Sequence, residues 1–174
     1  MKKVYIDLAN LTIETKKRNE EIDFHKFYIW LKGKYKPENI FIFTGFLEKY
    51  NSIYEENKKI GYKYIFKEAI FNKEEAKIKA NCDVDISIKG TVDTIENNLS
   101  EAILITSDGD FASLVKFWKE RGVLVKIISP SDPNRCSYLL KKDNNSVTYI
   151  KQVISLIRKE ELKNEKALDE DETS

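Results

Sequence analysis

The chain has 174 residues, 41% hydrophobic and 34% charged, with six glycines and three prolines, a balance that fits one compact domain and excludes a fibrous or disordered chain. Its longest uncharged apolar runs, Asn39 to Leu47 and Ala102 to Thr106, fall far short of the roughly 20 residues needed to cross a bilayer, and Met1-Lys2-Lys3-Val4 leads straight into strand-like sequence with no leader. Two cysteines 54 positions apart and one histidine, His25, make no zinc set, so the reading is a soluble, cytoplasmic, disulfide-free protein without a membrane partner or soft-metal chemistry.

The formal net charge of +1 is uneven: residues 159–174 hold seven acids against three lysines, leaving a balance of +5 over residues 1–158. That surplus is compatible with a polyanionic partner and equally with a solvated lysine-rich surface.

Short apolar runs alternate with amphipathic stretches, the pattern of βαβ units around a mainly parallel sheet. Val4 to Leu8 reads as the first strand. Phe24, Phe27, Tyr28 and Leu31 recur at helical spacing before Pro37, predicting a helix from Asp23 to Tyr35. Ile40 to Phe46 is the second strand, Glu48 to Ile60 a helix closed by Gly61, and Tyr62 to Phe66 the third strand. Asn72 to Ala80 reads as a charged connector. Asp83-Val-Asp-Ile-Ser-Ile-Lys alternates like a strand, but Val84, Ile88, Val92 and Ile95 fit one helical face, so a helix N-capped by Asp83 is expected, with Gly90 a weakness of about 1 kcal/mol that packing must offset.

Ala102 to Thr106 has the apolar character of a central parallel strand. Phe111, Leu114, Val115 and Trp118 form the stripe of the next helix, closed by Gly122 before a strand over Val123 to Ser129. Ser131 to Ser137 reads as a loop, Ser137 to Lys142 as a short helix, Ser146 to Ile150 as an edge strand and Gln152 to Leu162 as a last helix. The organisation expected is an α/β domain over residues 1–150, a C-terminal helix over 151–166 and a disordered acidic tail over 167–174.

Acidic residues collect where strands end. Asp7 closes the first strand, Asp108 and Asp110 follow the Ala102 to Thr106 strand, and Asp83 opens a helix. The carboxyl ends of parallel strands face one side, so these four carboxylates are expected to share a pocket. Such a group relieves its repulsion by raising one pKa or by taking a hard cation, and oxygen-only ligands select Mg²⁺ or Mn²⁺. Each residue also has a plain structural role open to it: Asp83 and Asp108 as helix caps, Asn10 as a turn residue, His25 as an ordinary helix residue. Thr106-Ser107-Asp108-Gly109-Asp110-Phe111 is the most specific stretch, combining hydroxyls, acids around a glycine and a helix start.

At these residues the sequence resembles a known family. Tyr5-Ile6-Asp7-Leu8-Ala9-Asn10 resembles the first-strand signature of NYN domains, an Asp followed three positions later by an Asn. Lys79-Ala80-Asn81-Cys82-Asp83 is similar to the Lys-Gly-Asn-Val-Asp element of the LabA-like branch, and Thr106 to Phe111 with Leu114-Val115 is similar to that branch's most diagnostic motif. The chain departs from the pattern at Ala80, where Gly is usual, and at Ala112-Ser113, where Val-Pro is commoner. The resemblance implies a PIN-like, Rossmannoid three-layer sandwich with a mainly parallel sheet between helices, and a magnesium-dependent nuclease acting mainly on RNA.

Carried over by position, Asp7, Asp83, Asp108 and Asp110 would hold the metal, Asn10 would orient Asp7 or a metal-bound water, and Ser107 or Thr106 would hold a carboxylate or the scissile phosphate. Metal-activated water requires neither His nor Cys. Lys73, Lys77, Lys79, Arg135, Lys141 and Lys142 are expected to track the RNA backbone, with Tyr62, Tyr64 or Phe71 stacking on bases of a single strand. The sequence leaves the oligomeric state, including a homodimer, open. The alternative is a non-catalytic RNA-binding or scaffold module of the same fold. A HAD-type phosphatase needs an Asp where Ala9 stands, and no P-loop motif occurs.

Overall fold

The computed structural model describes residues 1–67, 70–72, 77–79, 81–142 and 146–160, of 70–72 and 77–79 the backbone alone. Six strands form one sheet: β1 (Lys2–Asp7), β2 (Asn39–Gly45), β3 (Tyr62–Lys67), β6 (Glu101–Ile105), β7 (Leu124–Ser129) and β8 (Ser146–Tyr149). Their order is β3-β2-β1-β6-β7-β8, and every neighbouring pair is parallel. The chain thus winds outward from β1 through β2 to β3, then returns to the other side of β1 to lay down β6. That reversal opens a crevice beyond the carboxyl ends of β1 and β6, the place where ligands bind in open α/β sheets.

Side-chain alternation splits the core into two layers. Val4, Ile6, Ile40, Ile42, Ile103 and Ile105 point to one face, which is covered by α1 (Leu8–Lys16) and α2 (Phe24–Tyr35) through Leu11, Phe27, Leu31 and Tyr35. Tyr5, Phe41, Phe43, Ala102 and Leu104 point to the other. There α4 (Asp83–Glu96) and α5 (Ala112–Glu120) supply Ile86, Leu114, Val115 and Trp118. The result is the α/β three-layer sandwich with a parallel central sheet. The helix α3 (Asn51–Ile60) packs on β3, and Gly61 and Gly122 follow α3 and α5 at φ of 123° and 75°, backbone that a side chain would strain. Among the described residues no helix is long and apolar enough to cross a membrane.

Four elements depart from the sequence reading. The helix α1 starts directly after Asp7 although Leu8 to Lys16 carries no strong apolar stripe; Leu11 alone is fully buried from it, with Glu14 and Thr15 beside it. The stretch Asn72 to Ala80, read as a connector, contains β5 (Lys77–Lys79) and the last residue of β4 (Ile70–Asn72), and the two strands pair antiparallel as a hairpin. In α4 the buried face runs Ile86, Gly90 and Asp93, while Val84, Ile88 and Ile95 are 62%, 59% and 61% exposed, so the helix was legible and its orientation was not. After α6 (Tyr138–Lys141) and β8, the helix expected over 152–162 is confined to α7 (Ile154–Ile157), because Arg158 turns to extended backbone and bridges to Ile22. Residues 161–166 of the segment expected over 151–166, and the whole of the tail expected over 167–174, lie outside the described residues.

The reorientation of α4 follows from two contacts. Trp118 donates its indole N–H to the Gly90 carbonyl at 3.2 Å, and a Cβ on Gly90 would come within 2.6 Å of the Trp118 ring. The glycine is therefore the packing surface rather than a defect. Asp93 is fully buried and accepts from Lys3 Nζ at 2.7 Å, Tyr5 Oη at 2.9 Å and Asn97 Nδ2 at 3.2 Å, with Lys89 as a further partner. Burial opposes its charge, but the bonds from Lys3, Lys89 and Tyr5 win and hold its carboxyl below the usual range.

Candidate active site

On β1 the alternation that sends Lys3 and Tyr5 toward α4 sends Asp7 the same way, at the carboxyl end of the strand. Asp7 is also the N-cap of α1: one carboxylate oxygen accepts the Asn10 backbone N–H at 3.0 Å. The other accepts the Thr106 hydroxyl at 3.3 Å across the junction between β1 and β6. Asp7 is buried, and burial pushes its carboxyl up to about 6; the Asn10 N–H and Thr106 pull it down, while the charges of Asp83 and Asp108 push it further up.

The loop after β6 is braced from both sides. Asn10 Oδ1 accepts from the Ser107 backbone N–H at 2.9 Å and from its hydroxyl at 2.8 Å, so the asparagine side chain latches the β6 loop while its backbone holds Asp7. Thr106 receives the Asp108 N–H at 3.2 Å, and Asp108 caps the following turn by accepting the Asp110 N–H at 3.0 Å. Ser137 N–H donates to the Ser107 carbonyl at 3.1 Å, and a Cβ on Gly109 would lie 2.4 Å from the Ser137 hydroxyl, so only glycine lets the β7–α6 loop close on this turn.

Asp83 is not the cap of α4; Cys82 takes that position without a side-chain capping bond to the helix, and Asn81 Oδ1 accepts the Asp83 N–H at 2.8 Å. The Asp83 carboxylate, released from capping, meets Asp108 and Asp110, and one oxygen from each of the three lies within 4.8 Å of the others. Burial raises the Asp83 carboxyl, with Asp108 and Asp110 raising it further and Asn81 and Lys67 working against them. Lys67, which the sequence reading did not single out, ends β3 on this edge and pairs with Asp85 at 3.0 Å. Its signal was its place, the last residue of a strand whose carboxyl end faces the crevice. Oxygen-only donors of uncompensated negative charge fit a hard divalent cation and not a thiophilic one.

The structure thus brings Asp83, Asp108 and Asp110 together, sets Asp7 beside them, and ties Asn10 and Ser107 into the scaffold beneath. The cationic residues fare differently. Arg135 pairs with Glu14 at 3.3 Å and Asp132 at 3.8 Å, and Lys141 donates to the Pro133 carbonyl at 2.8 Å, so both brace the loop before α6. Lys142 is exposed; Lys77 and Lys79 lie on β5; Lys73 falls outside the described residues. Of the aromatics, Tyr62 is 2% exposed and donates to the Phe24 carbonyl at 2.9 Å, a core residue unable to stack on a base; Tyr64 is half-buried and receives Asn57 Nδ2 at 2.8 Å. His25 is exposed on α2.

A parallel sheet whose switch point carries converging carboxylates places the chain among the α/β domains with an acidic cleft at the strand ends. The chain belongs to the NYN domain family, whose pattern matches residues 3–151, within the PIN-like nuclease superfamily. Among solved structures it is similar to a protein of unknown function from Vibrio parahaemolyticus, at 17% identity and a TM-score of 0.69, over 86% of this chain and 91% of that one, a likeness of fold. No curated protein matches.

Proposed function

We propose that this chain is a metal-dependent endoribonuclease of the LabA-like branch, hydrolysing RNA phosphodiester bonds with water activated at Mg²⁺ or Mn²⁺. The observation that carries the reading is the meeting of Asp83, Asp108 and Asp110 within 4.8 Å, at the switch point of an NYN fold, with Asp7 alongside. Asp83, Asp108, Asp110 and Asp7 would hold the cation, which when bound supplies a water of lowered pKa and neutralises charge on the phosphate.

The remaining roles belong to the chain. Asp7 adds a fourth carboxylate at the edge of the cluster, its carboxyl raised by burial and by the charges of Asp83 and Asp108 while no ion is bound. Thr106 and the Asn10 N–H fix the orientation of that carboxylate, and Asn10 with Ser107 keeps β1 and the β6 loop at constant separation. Lys67 offers a positive charge on the same edge for a phosphate oxygen.

The alternative of a non-catalytic RNA-binding module draws on the capping bonds of Asp7 and Asp108, since a cap is kept for stability alone. Asp83 and Asp110 have no such duty, which favours the enzyme. The test is cleavage of single-stranded and structured RNA with Mg²⁺, Mn²⁺ or EDTA, followed by end analysis. The expected products carry a 5′-phosphate and a 3′-hydroxyl, vanish in EDTA and in Asp108→Asn, and persist in His25→Ala. Cyclic phosphate ends that survive EDTA would refute the reading.

A further inference from the structure

Between α5 and α6 lies a groove of about 230 Å³, lined by Ala112, Val115, Lys116, Lys119, Leu139 and Lys142. It begins two residues beyond Asp110, and its far wall is α6, whose N-cap Ser137 and whose own Leu139 face Gly109 in the acidic loop. The groove therefore adjoins the turn that carries Asp108 and Asp110. At about 230 Å³ the groove is smaller than the roughly 300–1,000 Å³ of pockets that enclose a drug-sized ligand, a size for one nucleotide unit of a longer chain.

Next in sequence to the lining residue Leu139, itself 45% exposed, α6 carries Tyr138, 73% exposed. The other exposed rings near the carboxyl edge are already occupied: Phe46 packs on Phe66 at 5.3 Å and Tyr50 lies under Lys49 at 4.9 Å. Tyr138 makes no ring contact among the described residues. Lys116 and Lys142 bring positive charge to the same groove, and among the described residues the acid lining it is Glu120, which meets Lys116 at 3.8 Å in a pair too exposed to hold either side chain firmly.

We propose that the α5–α6 groove with Tyr138 is the single-stranded RNA subsite next to the acidic centre, Tyr138 stacking on an unpaired base while Lys116, Lys119 and Lys142 take the adjoining phosphates. The assignment rests on the nuclease reading for its RNA substrate and adds where the strand lies and why it must be unpaired. A flat, exposed phenol offers a face to any base but cannot reach one inside a duplex, so the subsite selects single strands without reading sequence. It also moves the aromatic contact from Tyr62 and Tyr64 to a ring that faces solvent.

The experiment is fluorescence anisotropy of the full chain with a labelled oligouridylate in EDTA, beside an RNA duplex, with cleavage in Mg²⁺ measured in parallel. Loss of one stacked base weakens binding by about 5- to 100-fold, so Tyr138→Ala should show that loss on the single strand, Tyr138→Trp should restore it, and the duplex should be unaffected. Lys116→Ala with Lys142→Ala should flatten the salt slope by about 0.7 per lysine. Tyr138→Leu, similar in size and without a π face, serves if the alanine variant melts early. Unchanged affinity of folded Tyr138→Ala or Tyr138→Leu, or an equal loss on duplex, overturns the subsite, including the case in which a protein partner occupies the groove. Should Tyr138→Ala bind like wild type while wild type cleaves in Mg²⁺, the subsite falls and the nuclease stands; a Tyr138-dependent affinity without cleavage keeps the subsite and removes the nuclease.

Discussion

At the scale of single residues, Asp7 concentrates the cost of the site. It is 7% exposed and neighbours the charges of Asp83 and Asp108, and burial first, then those charges, lift its carboxyl to about 6. In the unfolded chain an Asp titrates near about 3.9, so the metal-free fold binds this proton more tightly than the unfolded chain does. Between about pH 4 and 6 the folded state therefore loses stability as pH rises, by roughly 3 kcal/mol once Asp7 is ionised. Asp83 is raised in the same sense. Asp7→Asn keeps an oxygen for the Asn10 N–H and carries no charge. It should stabilise the metal-free protein at pH 7 by up to about 3 kcal/mol and shrink the difference between pH 4.5 and pH 7 in urea denaturation. A variant less stable than wild type at pH 7 would mean that the cap outweighs the buried charge.

At the scale of elements, α4 decides whether Asp83 reaches the cluster. Its sequence offered two faces, and the more apolar one, Val84, Ile88 and Ile95, is the exposed one. The choice was not legible because both determinants are distant partners: Trp118 closing on Gly90, and Lys3 and Tyr5 reaching Asp93 from β1. Gly90→Ala gains about 1 kcal/mol of helix propensity but drives a methyl into the fully buried Trp118 ring, where overpacking costs about 1–3 kcal/mol. Thermal melts should therefore fall rather than rise, and a rise would place the ring elsewhere. Asp93→Leu strands Lys3, only 4% exposed, without its counter-ion, a loss of about 3–5 kcal/mol that denaturation should record. Retained stability would show that Lys3 escapes to solvent.

At the scale of the whole molecule, the parallel sheet and the strand ends were readable because each rests on local signals: apolar runs, the glycines after α3 and α5, and acids at the close of strands. Asp7, Asp108 and Asp110 were legible for that reason. The latch between Asn10 and Ser107, 97 positions apart, was not, since nothing local to either residue requires the other. The β4–β5 hairpin was hidden by the lysines that made its sequence read as a connector. The helix α1 was hidden because it buries mainly Leu11 and is started by Asp7, a residue read for its chemistry alone.

The same topology fixes what cation binding should do to stability. Both core layers close through apolar contacts on either face of the sheet, so the fold does not require an ion to form. The repulsion among Asp83, Asp108 and Asp110 is present nonetheless, with Lys67 as the opposing cation near Asp83. An ion that binds the folded cluster and not the unfolded chain stabilises by mass action, about 2.7 kcal/mol at a concentration 100 times its dissociation constant. Mg²⁺ or Mn²⁺ should thus raise the melting temperature of the wild type at pH 7, with a smaller gain at pH 5, where Asp7 is protonated and binding must displace its proton. Asp108→Asn keeps its capping oxygen for the Asp110 N–H, so it should melt at or slightly above the metal-free wild type and respond little to the ions. Calorimetric scans of both proteins with EDTA, Mg²⁺ and Mn²⁺ separate the outcomes: a wild type indifferent to both cations would leave the carboxylates without their ion, and a large drop in metal-free Asp108→Asn would make Asp108 a structural cap.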